Sequence, residues 1–381
     1  MKNKIDKKLK KNFRLLLLTS ILSGVSGTGF AATITCTPEA DGSYLPGNVI
    51  PSCNTVSAAT ITQPSTAGFY ILTRSRLYET LIVGNTDVTA NVTGGYGGIG
   101  NQYASGAAGA SISTGDLKFK VTSVDGGAIL GTHSVVNITT KNVDATLTAN
   151  YGGGNSSGGV AQYGLLTGST VSSGETLDTG EYSTITTMNL KLNQTTTGGS
   201  TTPILNNGIR AIQGATSNAT LPNGGRGTAG QVIVNGILDM TLTGNRSVGI
   251  YVSGNATNHG VATDRAPVFN ALTPKVILNN DAKIIINKGT GSSFTTWDSH
   301  GIKLGKVRYA GEGPGILESH GNLVIDTTNA LQGGGIKMLR NSILDASDSN
   351  ASTTIKTNGY ALEIGGHDDA ARNGFVLTYE Q

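Results

Sequence analysis

The chain has 381 residues, of which 55 are Gly and 5% are aromatic, and its formal net charge is +3. The N-terminal segment 1–31 holds seven of the 27 basic and one of the 24 acidic residues, which leaves 20 basic against 23 acidic residues, or −3, for the rest. A mildly acidic body argues against nucleic acid and anionic lipid as partners. The sequence has no Gly-X-Y period, which argues against a collagen.

The N-terminal segment has the features of a secretory signal peptide. Basic residues up to Arg14 precede a short apolar run, 15–25, and Gly29 and Ala31 are small residues at the −3 and −1 positions. The apolar run is shorter than the about 20 residues needed to span a bilayer, which disfavours an uncleaved anchor. We therefore expect cleavage between Ala31 and Ala32 and export through the inner membrane.

Both cysteines of the chain, Cys36 and Cys53, follow soon after this cleavage position. An even number of cysteines in an exported chain favours a disulfide, here one that clamps a Pro- and Gly-rich loop. Two thiols without further Cys or His nearby make a poor metal site. We predict a signal peptide over 1–31, an N-terminal loop or cap over 32–56, and one repetitive body over 57–381.

A short strand motif recurs along this body. Each copy opens on a small residue and places apolar side chains two positions apart, and in the five clearest copies the residue between them is long enough to reach water. Alternate side chains of a strand point to opposite faces, so each copy has one buried and one solvated face. The clearest copies begin at Gly208, Gly249, Gly301, Gly335 and Ala361, and weaker ones begin at Gly127 and Gly164.

A second alternating strand precedes each Gly-opened copy, so the repeat is predicted to contain two strands. The runs that start at Leu117, Val143, Met188, Leu238 and Ala282 are examples, and Ile285 departs from the alternation. The connections between paired strands differ in length, whereas the strands do not. Constant strands with variable connections predict a parallel β-helix whose coils stack about 4.8 Å apart. The Gly-rich stretch 94–115 is predicted to be an excursion loop and lacks the Asp of calcium-binding repeats.

Three polar motifs were considered as catalytic or metal sites. His300 and His320 occur in similar contexts, after Asp298-Ser299 and Glu318-Ser319, and are interpreted as repeated turns. The G-x-S-x-G pattern over 154–158 lies in a Gly/Ser loop, without the strand and helix of a nucleophile elbow. The cluster 367–369, His-Asp-Asp, is typical of a solvated turn. The sequence thus predicts no catalytic residue, no metal ligand and no cofactor.

One set of outward residues is a candidate binding surface. Arg210, Tyr251, Lys303 and Lys337 occupy equivalent positions in successive Gly-opened strands. If these strands stack, the four side chains form a ladder that either faces a ligand or keeps the sheet surface soluble.

With its signal peptide, Cys loop and Gly-, Thr- and Asn-rich alternating strands, the chain resembles the passenger region of autotransporter proteins of Gram-negative bacteria. The recurring strands of the 249–252 type carry this resemblance over roughly 57–381. It implies a right-handed parallel β-helix at the cell surface or secreted, non-catalytic, with adhesion or aggregation as its role and surface carbohydrate or protein as its partner. Such proteins end in an outer-membrane translocator barrel, and since none precedes Gln381 we expect a longer natural protein.

Two other classes remain open. A β-helical polysaccharide lyase or hydrolase would need carboxylate and basic groups that converge near Lys303 and Lys337 on one outer face. An exoprotein of the two-partner secretion type would also lack a barrel, but 32–100 contains no Asn-Pro-Asn signature of that class.

Overall fold

The strands of this chain stack into a parallel β-helix. The structure is a computed structural model that describes residues 35, 55–56, 59–66, 70–73, 80–92, 95–96, 98–101, 110–132, 136–151, 161–168, 182–198, 205–213, 229–255, 273–290, 299–305, 312–339, 342–365 and 376–379. Within these residues the chain contains strands and turns and no helix. The fold class predicted from the alternating strands is therefore confirmed as an all-β parallel solenoid, whereas its right-handedness stays a prediction.

Each coil contributes one strand to each of three faces, which we name faces A, B and C. Face A contains β1 (Thr55–Val56), β4 (Thr80–Val83), β8 (Ala110–Thr114), β15 (Ala229–Val234), β18 (Lys275–Leu278), β22 (Ile316–Ser319), β25 (Ile343–Ala346) and β28 (Val376–Tyr379). Face B contains β2 (Ala59–Thr66), β5 (Thr86–Val92), β9 (Leu117–Ser123), β16 (Leu238–Thr243), β19 (Ala282–Asn287), β23 (Leu323–Thr327) and β26 (Thr353–Thr357). Two long strands, β11 (Val136–Tyr151) and β13 (Tyr182–Gly198), bend and continue through both faces.

Face C carries the Gly-opened strands. It contains β3 (Tyr70–Thr73), β7 (Gly98–Asn101), β10 (Gly126–Gly131), β12 (Ala161–Thr167), β14 (Leu205–Ile212), β17 (Ser247–Asn255), β20 (Ser299–Leu304), β24 (Gly333–Met338) and β27 (Leu362–Ile364). Two short strands, β6 (Gly95–Tyr96) and β21 (Glu312–Gly313), pair with β10 and, antiparallel, with β17.

Two expectations need correction. The repeat contains three strands per coil rather than two. The alternation did not predict the face A strands because most of them are short and carry few apolar positions. The stretch 94–115 is not simply an excursion loop, since β6, β7 and β8 lie in it and pair in parallel with strands of neighbouring coils.

The core consists of apolar ladders that run along the solenoid. Ile250, Ile302, Ile336 and Leu362 pair in register on face C, one coil after another, as the sequence predicts. Ile209 and Leu165 extend this ladder in the other direction. Faces A and B carry equivalent ladders, so the buried apolar side chains pack against their counterparts above and below and against the two other faces. Leu362, in the last strand of face C, is 40% exposed.

A glycine recurs at the third or fourth position of the face C strands because the backbone there approaches face B too closely for a side chain. A Cβ built on Gly249 would lie 2.5 Å from the Ile284 Cγ2 atom and 2.5 Å from the carbonyl oxygen of Gly301. The same approach recurs along this column, which we name the glycine column: Gly164, Gly208, Gly249, Gly301 and Gly335 face Leu192, Met240, Ile284, Ile325 and Ile355. Only a residue without Cβ fits there.

Asparagine and aspartate side chains connect successive coils at the corner between faces A and B. The Asp116 Oδ1 atom accepts from the Asn142 Nδ2 atom at 2.7 Å, and the Asn189 Nδ2 atom donates to the Asn142 Oδ1 atom at 2.8 Å. The backbone N–H of Ile237 then donates to the Asn189 Oδ1 atom at 2.8 Å. The bond from Ile237 satisfies a backbone N–H outside the strand ladder, and the two side-chain bonds join successive coils. The same corner turns Met188 outward, 48% exposed, although the alternation predicts it inside with Leu190.

The outer surface of face B carries a column of charges that alternate in sign. The residues in register along it are Asp87, Lys118, Asp144, Lys191, Asp239 and Lys283. Each of the four inner charges therefore lies between two opposite charges, and the Lys191 Nζ and Asp144 Oδ2 atoms are 3.2 Å apart. A slip of one coil would place like charges side by side, so this column favours a single register.

Candidate functional site

The structure brings all four residues of the predicted ladder together on the outer surface of face C. Arg210 pairs in register with Tyr251, Tyr251 with Lys303, and Lys303 with Lys337. Glu363 follows Lys337 in the next coil. We name these five residues the face C ladder. Each step corresponds to one coil, about 4.8 Å.

The guanidinium group of Arg210 lies between two tyrosine rings. Its Cζ atom is 5.3 Å from the ring centroid of Tyr163 and 5.4 Å from that of Tyr251. Its Nη1 atom also donates to the Tyr163 hydroxyl oxygen at 2.7 Å. Cation–π contacts on both sides and a hydrogen bond hold the guanidinium in one orientation.

Tyr251 has a second cation beside its ring. The Lys303 Nζ atom is 5.9 Å from the ring centroid, and Lys303 belongs to the coil on the other side of Tyr251 from Arg210. The ring is therefore flanked by a cation in each neighbouring coil. Both cations lie within the cation–π distance range, so the ring helps to order the ladder.

A cluster of basic and acidic side chains forms the C-terminal end of the ladder. The Lys337 Nζ atom is 2.7 Å from the Glu363 Oε1 atom, and the His300 Nε2 atom is 3.5 Å from the Glu363 Oε2 atom. The side chains of Glu363 and Lys337 are 34% and 16% exposed, whereas that of His300 is 3% exposed. A Cβ on Gly334 would lie 2.7 Å from the His300 Nε2 atom, so a glycine provides the space for the imidazole ring.

The glycine column interrupts the alternation of face C. Gly208 faces the core through its Cβ direction, and the next residue, Ile209, is also fully buried. Tyr163, which precedes Gly164, is partly exposed and contacts Arg210 of the adjacent coil. The residues before the next three glycines are buried, namely Asn207, Val248 and His300.

Sequence reasoning missed Tyr163, His300 and Glu363 as parts of one surface. The available signal was the residue immediately before each glycine, which the Gly-opened motif left out. Glu363 was recognised as the outward residue of its strand but was not joined to the ladder.

The structure does not bring His300 and His320 together. His300 lies in β20 on face C, whereas His320 follows β22 on face A and is exposed. Their similar sequence contexts therefore do not form one site. Ala31, Ala32, Cys36 and Cys53, the pattern over 154–158 and the cluster 367–369 lie outside the described residues, so the predictions about them stay predictions.

A second polar cluster lies on face A. The Tyr182 hydroxyl donates to the carbonyl oxygen of Thr273 at 2.9 Å, and the Lys275 Nζ atom is 5.8 Å from the Tyr182 ring centroid and 3.9 Å from the Glu318 Oε1 atom. Burial, followed by the charge of Glu318, raises the pKa of Tyr182 to about 12. This cluster stabilises a neutral phenol and offers no nucleophile near neutral pH.

Among the residues that the structure describes, no group of three or more His, Cys, Asp or Glu side chains could hold a metal ion. None of these residues belongs to a helix long and apolar enough to cross a membrane.

Comparisons with known proteins give no family for this chain. No protein-family model, no curated protein and no solved structure matches it.

Proposed function

We propose that this chain is an exported, non-catalytic binding protein of the autotransporter passenger type, which acts in adhesion or aggregation at the cell surface or after secretion. The observation that carries the proposal is the face C ladder, a row of fixed cationic and aromatic groups on a rigid solenoid. Preorganised groups on a rigid scaffold favour binding because little entropy is lost when a ligand is held. The signal peptide predicted over 1–31 supports export.

The geometry of the ladder favours binding over catalysis. A general base must come within hydrogen-bonding distance of the proton that it removes. His300 is almost fully buried and Glu363 is engaged by both Lys337 and His300, so neither is offered to a substrate in this arrangement. The remaining ladder residues, Arg210, Tyr251 and Lys303, are held against one another by cation–π contacts.

A polysaccharide lyase or hydrolase remains the second candidate, because one observation favours it. An enzyme would be excluded if the neighbours of Lys303 and Lys337 were only Thr and Asn, and they are not. Glu363 supplies a carboxylate next to Lys337, and Tyr251 supplies a phenol next to Lys303. Lyase chemistry would require one of these groups to act as a base on a uronate ring.

Two measurements test the proposal. The full chain is produced in a Gram-negative host with a C-terminal tag, and mass spectrometry identifies the N-terminus of the exported protein. We expect a start at Ala32, and retention inside the cell with 1–31 intact would contradict export. The purified protein is then incubated with acidic polysaccharides, and the ultraviolet absorbance of unsaturated uronates and the release of reducing ends are followed. We expect no turnover, whereas turnover lost in Glu363→Gln would establish the enzyme.

A further inference from the structure

We propose that the outer surface of face B binds a second copy of this chain, with the two solenoids antiparallel and related by a two-fold axis that runs along the strand direction. The interface rests on the proposed function, in which copies of the exported chain aggregate. It adds the partner, which is the chain itself, and the surface and orientation in which the two copies meet.

The first support is the charge column of face B. Its six side chains are all exposed and stand in register on six consecutive strands, about 4.8 Å apart. A column with an even number of strictly alternating charges is complementary to its own reverse. The order along the solenoid is Asp87, Lys118, Asp144, Lys191, Asp239 and Lys283.

The second support is the pairing that one two-fold axis produces. An axis midway between Asp144 and Lys191 places Asp144 of one copy opposite Lys191 of the second copy, and Asp87 opposite Lys283. The two remaining residues of the column pair in the same way. A two-fold interface is isologous, so each of these pairs occurs twice. Every charge of the column therefore meets an opposite charge of the second copy.

The same column disfavours the other arrangements of two copies. Parallel solenoids related by a two-fold axis along their length would place each charge opposite itself, with Asp144 facing Asp144. Antiparallel copies shifted by one coil would also bring like charges face to face. Like charges that meet across an interface act against wrong pairings, so the column selects one orientation and a register.

The neighbouring outer column of face B is compatible with this arrangement. Under the same axis, Lys120 lies opposite Thr241 of the second copy and beside its Asp239. Lys120 is the one charged residue among the six of this column, so no like charges meet there. Thr and Asn side chains can donate and accept hydrogen bonds across the interface. The column consists of Thr89, Lys120, Thr146, Asn193, Thr241 and Ile285.

The dimensions of face B suit a reversible dimer. The six strands cover about 29 Å along the solenoid and about 20 Å across it, which is about 600 Å² on each copy and about 1,200 Å² in all. Stacked sheets lie about 10 Å apart, a gap that facing Lys and Asp side chains can bridge. Because this interface is polar and small, we expect a dissociation constant in the micromolar range.

Sedimentation velocity of the purified full chain, over about a hundredfold range of concentration, measures the association. We expect a reversible equilibrium between monomer and dimer that shifts toward monomer as salt is raised. Asp144→Lys and Lys191→Glu should each raise the dissociation constant of the dimer at least about tenfold, because each variant places like charges opposite each other twice.

An equimolar mixture of these two variants separates the interface from damage to the fold. In the mixed dimer the new lysine of one copy faces the new glutamate of the other, and the unchanged Lys191 faces the unchanged Asp144. The mixture should therefore dimerise with a dissociation constant within about threefold of the unsubstituted value. Mixing could not restore a dimer if either variant had failed to fold.

Matched controls and a cross-link complete the experiment. Asp125→Lys and Lys288→Glu make the corresponding reversals of charge at exposed positions that follow β9 and β19, and neither should change the dissociation constant by more than about twofold. A carbodiimide couples an amine to a carboxylate with loss of water. It should join Lys118 to Asp239, which lie three coils or about 14 Å apart within one chain but face each other in the antiparallel dimer.

Four results would overturn this interface: a monomer at every concentration, equal losses in the control variants and the column variants, a mixture that dimerises no better than its components, or a dimer in which Lys118 and Asp239 are not coupled. A monomeric chain that is exported and without turnover would keep the proposed function and remove only this partner. A dimeric chain that is retained inside the cell would remove the proposed function and keep the interface.

Discussion

Substitution of Gly249 by Ala tests whether close packing between faces C and B determines the Gly-opened motif. The added Cβ would lie 2.5 Å from the Ile284 Cγ2 atom and 2.5 Å from the Gly301 carbonyl oxygen. Ile284 is fully buried, and the carbonyl belongs to the neighbouring coil, so neither can move freely. Overpacking of this kind costs about 1–3 kcal/mol. The smaller entropy of unfolded Ala returns about 0.4–1 kcal/mol, so we expect a net loss of about 1–2 kcal/mol.

Gly131→Ala is the matched control for this substitution. Among the described residues, apart from its chain neighbours, the only heavy atom within 4 Å of a Cβ at Gly131 is the Ala128 Cβ atom, at 3.7 Å, which is an ordinary contact. This variant should be neutral or stabilised by up to about 1 kcal/mol. Urea unfolding of both variants, followed by far-ultraviolet circular dichroism, measures the two midpoints. Equal shifts in Gly249→Ala and Gly131→Ala would refute the close-packing explanation.

A double-mutant cycle identifies the contact that is responsible. Ile284→Ala alone should cost about 2–5 kcal/mol through the cavity that it leaves. Combined with Gly249→Ala it should cost less than the sum by at least about 0.5–1 kcal/mol, because the new Cβ partly fills that cavity. The clash with the Gly301 carbonyl oxygen remains, so the rescue is partial. Strict additivity would assign the whole effect to the backbone.

Three further predictions concern charge, burial and pH. Lys191→Glu places a third acid between Asp144 and Asp239 and should lower the free energy of unfolding by about 1 kcal/mol at low salt and by less at high salt. Thermal unfolding at two salt concentrations measures this loss, and a loss that does not change with salt would contradict the prediction. Gln162 is fully buried, and neither amide atom has a hydrogen-bond partner among the described residues. Gln162→Met should therefore raise the free energy of unfolding by about 1 kcal/mol, and a lowered value in urea unfolding would contradict this. The pKa of Tyr182 is raised from 10.0 to about 12 in the folded chain. The neutral phenol therefore stabilises the fold fully below pH 10.0, and this contribution is lost as pH rises through about 12. Tyr182→Phe should reduce this alkaline loss of stability, and an unchanged pH profile of unfolding would contradict the prediction.

The residue pattern by itself was sufficient for the solenoid and for much of its core. Alternation with a small opening residue places Ile250, Ile302 and Ile336 on one inner ladder, because strand geometry alone decides which side chains share a face. The same reasoning brings Arg210 and Lys303 into one outer ladder. Periodicity of two is local, so a single sequence reports it wherever the strands are long enough.

Contacts between coils and between faces were decided only by the tertiary structure. The third strand of each coil escaped the pattern because strands such as β18 contain four residues, too few for alternation to stand out. The corner that exposes Met188 depends on the hydrogen bonds of Asn189 to the neighbouring coils.

The same division applies to the candidate site. Arg210 and Tyr251 could be placed on one surface from their strand positions, but the contact of Tyr163 with Arg210 and that of His300 with Glu363 could not. Tyr163 and His300 each precede a glycine of the column, where two consecutive residues face the core and the alternation is interrupted. That interruption exists because face B lies against the glycine, which is a property of the stacked coils and not of any one strand.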